Sequence, residues 1–310
     1  MNAFTGLSAF PLTPLRDDAV DEASFVGLVE RLATAGVDSI TALGSTGSYA
    51  YLSPDERARV AQLAVEHAGD VPVFVGVGDL RTSRILGHID AAQDAGAQGV
   101  LLAPLTYQAL TDDDVFELFR TVTEHAGVPV IVYDNPDTTH FQFSVDLYAR
   151  IAALPGIASI KIPGVPAEPE AARERVSSIR AAVPEGVTIG VSGDSFAAAG
   201  LAAGCDTWYS VIAGTLPEPA VRITRASLAG DQAAAQAESA RLAPIWELFA
   251  EFGSNRVVAA IAEHLGLAPE RSLPLPIQGL GAADRERVAA TLAAIDENAA
   301  TAPPTSSTRA

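Results

Sequence analysis

A unit of roughly 30 residues repeats along this chain, and that repeat leaves few architectures open. Each unit is an amphipathic segment that ends at a glycine and gives way to a short β-rich run. The glycines are Gly36, Gly69, Gly96, Gly127, Gly156 and Gly186. The runs occupy residues 39–42, 71–75, 99–103, 128–133, 157–161 and 187–191, with a further one at 207–212 after Gly204. Residues 7–10 supply a first strand, which brings the count to eight. The intervening segments carry helix signals. Ser53-Pro54-Asp55-Glu56 combines a capping serine, a proline at the first helical position and a glutamate three residues after the cap. Thr111 followed by three aspartates is a second acidic helix start, and Ser144 is placed to cap a third. Phe25, Leu28, Val29 and Leu32 recur at helical spacing, as do Val115, Leu118, Phe119 and Val122.

Eight strands alternating with helices predict a parallel (β/α)8 TIM barrel, a fold of about 250 residues. An open doubly wound sheet needs a glycine-rich phosphate turn after its first strand. Here that strand runs into Pro11-Leu12-Thr13-Pro14, which is wrong for such a turn. Beyond residue 215 the pattern changes to helical stretches at 216–228, 231–252 and 255–265 with no strands between. The expected organisation is a barrel over 1–215, a helical extension over 216–298 and a disordered tail, rich in Pro, Ser and Thr, over 299–310.

Composition narrows the function classes. Apolar residues make up 48 %, enough for a large core, and the formal charge of −18 repels nucleic acid and anionic membrane alike. No apolar stretch approaches the ~20 residues of a membrane span. Cys205 is the only cysteine, so no internal disulfide can form, which fits a reducing cytoplasm. The histidines show no metal-type spacing, so no metal is expected, and no organic cofactor is indicated.

The cationic residues are lopsided: nineteen arginines and a single lysine, Lys161. Arginine stays protonated in proteins and cannot act as an amine nucleophile. A desolvated lysine can lose its proton and attack a carbonyl. Coding bias gives the same ratio without any function, so the context of Lys161 has to decide. It closes the sixth strand, and catalytic groups of such barrels gather at the C-terminal strand ends. Gly44-Ser45-Thr46-Gly47-Ser48 follows the second strand, and Tyr133-Asp134-Asn135-Pro136 closes the fifth.

The order and spacing of Gly44-Ser45-Thr46-Gly47, Tyr133-x-x-Pro136, the Lys161 strand and Ser192-Gly193-Asp194 resemble the dihydrodipicolinate synthase / N-acetylneuraminate lyase family of class I, Schiff-base-forming aldolases, from about Leu7 to Asp296. The resemblance implies a carbon–carbon lyase or aldolase acting on pyruvate or another 2-keto acid. Lys161 would form the imine and Tyr133 would shuttle protons. Ser45, Thr46 and Gly47 would bind the carboxylate, with Ser45 also in the proton relay. The loop precedes a capped helix, whose N-terminus favours an anion. Tyr107 would complete the relay from a neighbouring subunit of a homo-oligomer, a dimer or tetramer. Gly193 and the backbone of Tyr209 would contact the keto acid.

Three positions depart from the pattern, and the first is Ser48, where the family carries a glutamate after the Gly-x-Thr-Gly run. Members that make dihydrodipicolinate carry an arginine two residues after the proline, where this chain has Thr138, and a glycine two further on, where it has His140. Losing such a charge-assisted contact costs roughly 1.5–3 kcal/mol. Thr138 and His140 therefore point to an uncharged or hydroxylated second fragment. The alternatives are 4-hydroxy-tetrahydrodipicolinate synthesis, dehydration of a keto-sugar acid through the same imine, or a non-enzymatic keto-acid or sugar-acid binding protein.

Overall fold

The structure, a computed structural model, describes residues 3–301. Its strands are β1 (Gly6–Ala9), β2 (Ser39–Ala42), β3 (Val73–Gly76), β4 (Gly99–Leu102), β5 (Val130–Tyr133), β6 (Ile157–Ile162), β7 (Thr188–Val191) and β8 (Thr207–Ser210). All eight are parallel and close into a barrel, each pairing with the next and β1 pairing with β8. The helices alternate with them as expected: α1 (Glu22–Ala35), α2 (Pro54–His67), α3 (Thr82–Asp94), α4 (Asp112–His125), α5 (Val145–Ala152), α6 (Pro169–Ala182), α7 (Ala197–Ala202) and α8 (Pro217–Leu228).

Local chemistry explains where the elements start and stop. At α2 the Ser53 N–H donates to Glu56 Oε2 at 2.8 Å, while the Glu56 N–H donates back to Ser53 Oγ at 3.3 Å. Thr111 and Asp114 make the same reciprocal pair at α4, and Ser144 Oγ accepts from the Leu147 N–H at α5. Each such cap is worth about 1 kcal/mol. Gly36 ends α1 in the left-handed region at φ 77°, where a β-carbon would be strained.

The strands are buried on both faces. Their outer faces pack under the helices, and their inner faces meet in a cluster of Phe10, Phe74, Leu101, Ile131, Tyr133 and Tyr209. Two hydroxyl pairs lie inside this wall. Ser8 Oγ lies 2.7 Å from Thr41 Oγ1, and the Tyr209 hydroxyl donates to Ser159 Oγ at 2.7 Å.

Four further helices follow the barrel: α9 (Gln232–Arg241), α10 (Ala243–Phe252), α11 (Ser254–His264) and α12 (Ala282–Thr301). The stretch read as one helix over 231–252 breaks at Leu242, because Pro244 cannot donate within a continuous helix. α8 packs on α1, α7 and β1, so it completes the eighth βα unit, and the boundary expected at 215 falls one helix early. α12 went unread in the sequence, although its buried Val288, Leu292 and Ile295 keep helical spacing. It runs through residues 299–301, and the rest of the expected tail lies outside the described residues. No helix among the described residues is long and apolar enough to cross a membrane.

Gly190 of β7 makes room for the Tyr209 ring: a β-carbon there would lie 2.2 Å from the ring edge. Gly190→Ala should therefore lower unfolding stability by about 1–3 kcal/mol, the usual cost of overpacking a core. Urea denaturation of the two proteins, compared at equal m-value, measures it.

Candidate active site

The register of two neighbouring strands assembles the centre. Tyr133 of β5 stands directly opposite Lys161 of β6, and the Asp134 N–H donates to the Lys161 carbonyl at 3.0 Å. The Lys161 ammonium nitrogen sits 4.1 Å from the centre of the Tyr133 ring and 5.7 Å from that of Phe10. The side chain is buried, 5 % exposed. Desolvation pulls its pKa below the usual lysine value, while Tyr133, Asp194 and Asp134 pull the other way. The net direction favours the free amine.

Tyr133 is held from two sides. Its hydroxyl lies 3.0 Å from Ser45 Oγ, and the Asn135 side-chain amide donates to it at 2.8 Å. With Asn135 donating, the phenol keeps its own proton for Ser45 or for a reactant. Asn135 was not among the expected site residues, although it stands inside the Tyr133-x-x-Pro136 motif.

The loop after β2 is tightly packed. A β-carbon at Gly44 would lie 2.5 Å from the Phe10 ring, and one at Gly47 would lie 3.0 Å from the Leu43 nitrogen. Among the described residues, the N–H groups of Thr46 and Gly47 have no backbone or side-chain acceptor. They are free to take an anion. The expected help from a helix N-terminus does not hold: a single 3-10 turn, Tyr49–Tyr51, intervenes before α2.

Two buried carboxyls flank the lysine. Asp194 accepts from the Ser210 hydroxyl at 2.7 Å and from the Val211 and Ile212 N–H groups. Asp134 accepts from the Tyr148 hydroxyl, and its Oδ1 has no partner. Burial raises each pKa to about 6. Both are ionised at neutral pH and supply the negative charge that Lys161 feels.

The remaining expected residues are placed less uniformly. Gly193 is exposed at the mouth with φ 76°, and Ser192 beside it donates its hydroxyl to the Ile162 carbonyl at 2.8 Å. The Tyr209 side chain is committed to Ser159 deep in the barrel, so only its backbone is left for a ligand. Thr138 and His140 are exposed on the one-turn helix Pro136–Thr139 and its cap; the Thr138 hydroxyl donates to the Asn135 carbonyl at 3.3 Å, and neither side chain hydrogen-bonds to Tyr133 or Lys161. His140 adopts φ 55°, the left-handed conformation that explains why a glycine suits this position. Tyr107 is 88 % exposed and is not brought to the Ser45–Tyr133 pair by its own chain.

The comparisons with known proteins agree with this geometry. A sequence model of the Dihydrodipicolinate synthetase family matches residues 3–295. The chain is 34 % identical to a 4-hydroxy-tetrahydrodipicolinate synthase of Hyphomonas neptunium over 85 % of its own length and 89 % of that protein's. It is 32 % identical to the same-named enzyme of Phenylobacterium zucineum, over 93 % and 96 % of the two chains. Among solved structures, a dihydrodipicolinate synthase from Agrobacterium tumefaciens superposes with a TM-score of 0.91 at 40 % identity, covering 94 % of this chain and 98 % of that one. A pyruvate complex of the enzyme from Acinetobacter baumannii superposes at 0.84 and 25 % identity, covering 94 % and 99 %. With a closed eight-stranded barrel, a buried lysine at a strand end and family similarity over nearly its whole length, the chain belongs to the dihydrodipicolinate synthetase family and is a carbon–carbon lyase of the class I aldolase type.

Proposed function

We propose that Lys161 attacks the ketone of pyruvate or a related 2-keto acid and carries it as an imine. The single observation behind this reading is the buried amine of the chain's only lysine, packed on the ring of a tyrosine whose hydroxyl is bonded to Ser45 and Asn135. Addition of the amine gives a carbinolamine. Tyr133 gives its hydroxyl proton to the departing oxygen, water leaves, and a protonated imine remains. Tyr133 then takes a proton from the hydroxyl of the adduct. The adjacent carbon–carbon bond breaks, its electron pair moves into the iminium to form an enamine, and an aldehyde leaves. The reverse sequence condenses the two. Ser45 relays the proton, and a second copy of the chain supplies Tyr107 to the outer end of the relay in a homo-oligomer. We place the enzyme in the cytoplasm, in keeping with its one buried free cysteine.

The keto-acid carboxylate is received by the free Thr46 and Gly47 N–H groups, by the hydroxyls of Ser45 and Thr46, and from the opposite side by the Gly193 backbone and that of Tyr209. The second fragment meets Thr138 and His140, which offer a hydroxyl and an imidazole where the resemblance puts an arginine. It is therefore hydroxylated where it passes this loop. The identity to 4-hydroxy-tetrahydrodipicolinate synthases favours their named reaction as the second reading, and it shares the imine stage.

Borohydride reduction with pyruvate present should attach the three-carbon unit to the peptide carrying Lys161, and Lys161→Arg should abolish both the adduct and turnover. Full activity in that variant means the covalent route is wrong. Tyr133→Phe should still trap pyruvate slowly and lose about 10²–10⁴-fold in turnover, the usual share of a positioned acid–base group.

The pH profile gives a separate check. The neutral amine reacts, so trapping should rise with pH through a midpoint below the 10.5 of an ordinary lysine. Asp194 stabilises the ammonium form, and removing its charge lowers the lysine pKa further. Asp194→Asn should move the midpoint to lower pH; movement upward, or none, contradicts the assigned coupling.

A further inference from the structure

A cavity of about 570 Å3 opens on the catalytic face beside this centre. It is bounded by Pro136, by the Ile162–Gly164 segment that follows Lys161, and by Phe196 beyond Asp194. These segments follow Tyr133, Lys161 and Asp194 along the chain. Its walls are mostly apolar, and Phe196 lies close against the Gly164 backbone: a β-carbon there would stand 2.3 Å from the ring. No aspartate or glutamate lines it.

One charged side chain does: Arg175, from the middle of α6. It is half-buried, and among the described residues it makes no ion pair and no side-chain hydrogen bond. Arg180 on the same helix, by contrast, binds Asp206, and Arg150 on the neighbouring α5 binds Asp113. A guanidinium presents five N–H donors in a fixed fork shaped for a carboxylate. Against an apolar wall, with water partly displaced, its attraction for an anion is stronger than at an open surface. Its charge also reaches the centre, where it acts on Asp134 and Tyr148.

We propose that Arg175 receives a second carboxylate at the far end of the substrate, so that the enzyme handles a hydroxylated 2-keto acid, or an adduct, with an acid group at each end. The proposal rests on the imine reading for the placement of the ketone. The chain of the substrate then runs from Lys161 over Ile162–Gly164 into the cavity. Position 138 carries no cation because the charge is supplied from α6, and the Thr138 loop is left to face the hydroxyls between.

The test uses two probes of equal chain length, 2-oxoadipate and 2-oxohexanoate, which differ only in the terminal carboxylate. Calorimetric binding to the intact protein should favour 2-oxoadipate by about ten- to a hundredfold, the range for a charge-assisted pair. Arg175→Gln should erase that preference while leaving 2-oxohexanoate binding within about twofold. Arg175→Lys should restore part of it, since it returns the charge without the fork. Both variants should still form a borohydride-trapped pyruvate adduct on Lys161, which reports that they fold. Equal binding of the two probes by the wild type overturns the proposal, and so does a preference that survives Arg175→Gln. Failure of pyruvate trapping with the 2-oxoadipate preference intact would instead remove the imine reading and leave the anion subsite standing.

Discussion

A lysine amine buried at the end of a closed barrel is expensive to keep charged, and the arrangement around it follows from that. The register of β5 against β6 fixes Tyr133 opposite Lys161, so the amine has the face of a ring beside it rather than water. Desolvation alone pushes it towards the neutral form. The carboxyls of Asp194 and Asp134 oppose this, and although their own burial raises them to about 6 they remain ionised near neutrality. The result is an amine that is neither fully paired nor fully stripped, a condition suited to attack followed by protonation of the imine.

Rigidity beneath the site comes from paired hydroxyls and tight sterics. Ser159 lies two residues before Lys161 on the same strand, and its hydroxyl is occupied by Tyr209. That ring fills the space left by Gly190, and Phe10 packs edge-on against it at 6.1 Å. A strand end supported in this way holds its lysine within a narrow range of positions. Above it stand Thr138 and His140 on a single helical turn, Gly193 at a left-handed φ, and Arg175 from the flanking helix α6.

Much of this was readable from the chain. The glycine-ended repeat located seven of the eight strands, the capping serines and threonine located helix starts, and the solitary lysine marked the centre. What escaped depended on facing and on distance. Nothing in the sequence separates Arg175 from eighteen other arginines, because its lack of a partner exists only once the flanking loops are folded. Asn135 stood in a motif position that any residue could fill, and its bond to Tyr133 depends on the turn made by Pro136. The break at Leu242 was written in Pro244 but hidden by apolar spacing that continued through it. Tyr209 illustrates the period-two ambiguity of a strand buried on both faces: hydropathy cannot say which residues point inward.

An acidic protein that takes anions has to solve an electrostatic conflict, and the placement of its donors does so. The formal charge of −18 disfavours approach of any carboxylate. A cation beside Lys161 would attract the substrate and would also depress the amine further, removing the proton needed to activate the imine. In the proposed binding mode the free backbone N–H groups at Thr46 and Gly47 would attract the carboxylate with partial charges only. In the proposed mechanism a carboxylate bound there would raise the pKa of the Lys161 nitrogen as the imine forms, when a proton on it is required. Full positive charge is kept at Arg175, at the edge of the cavity. There it can hold the far end of a dianion without adding a second whole cation next to the reacting amine.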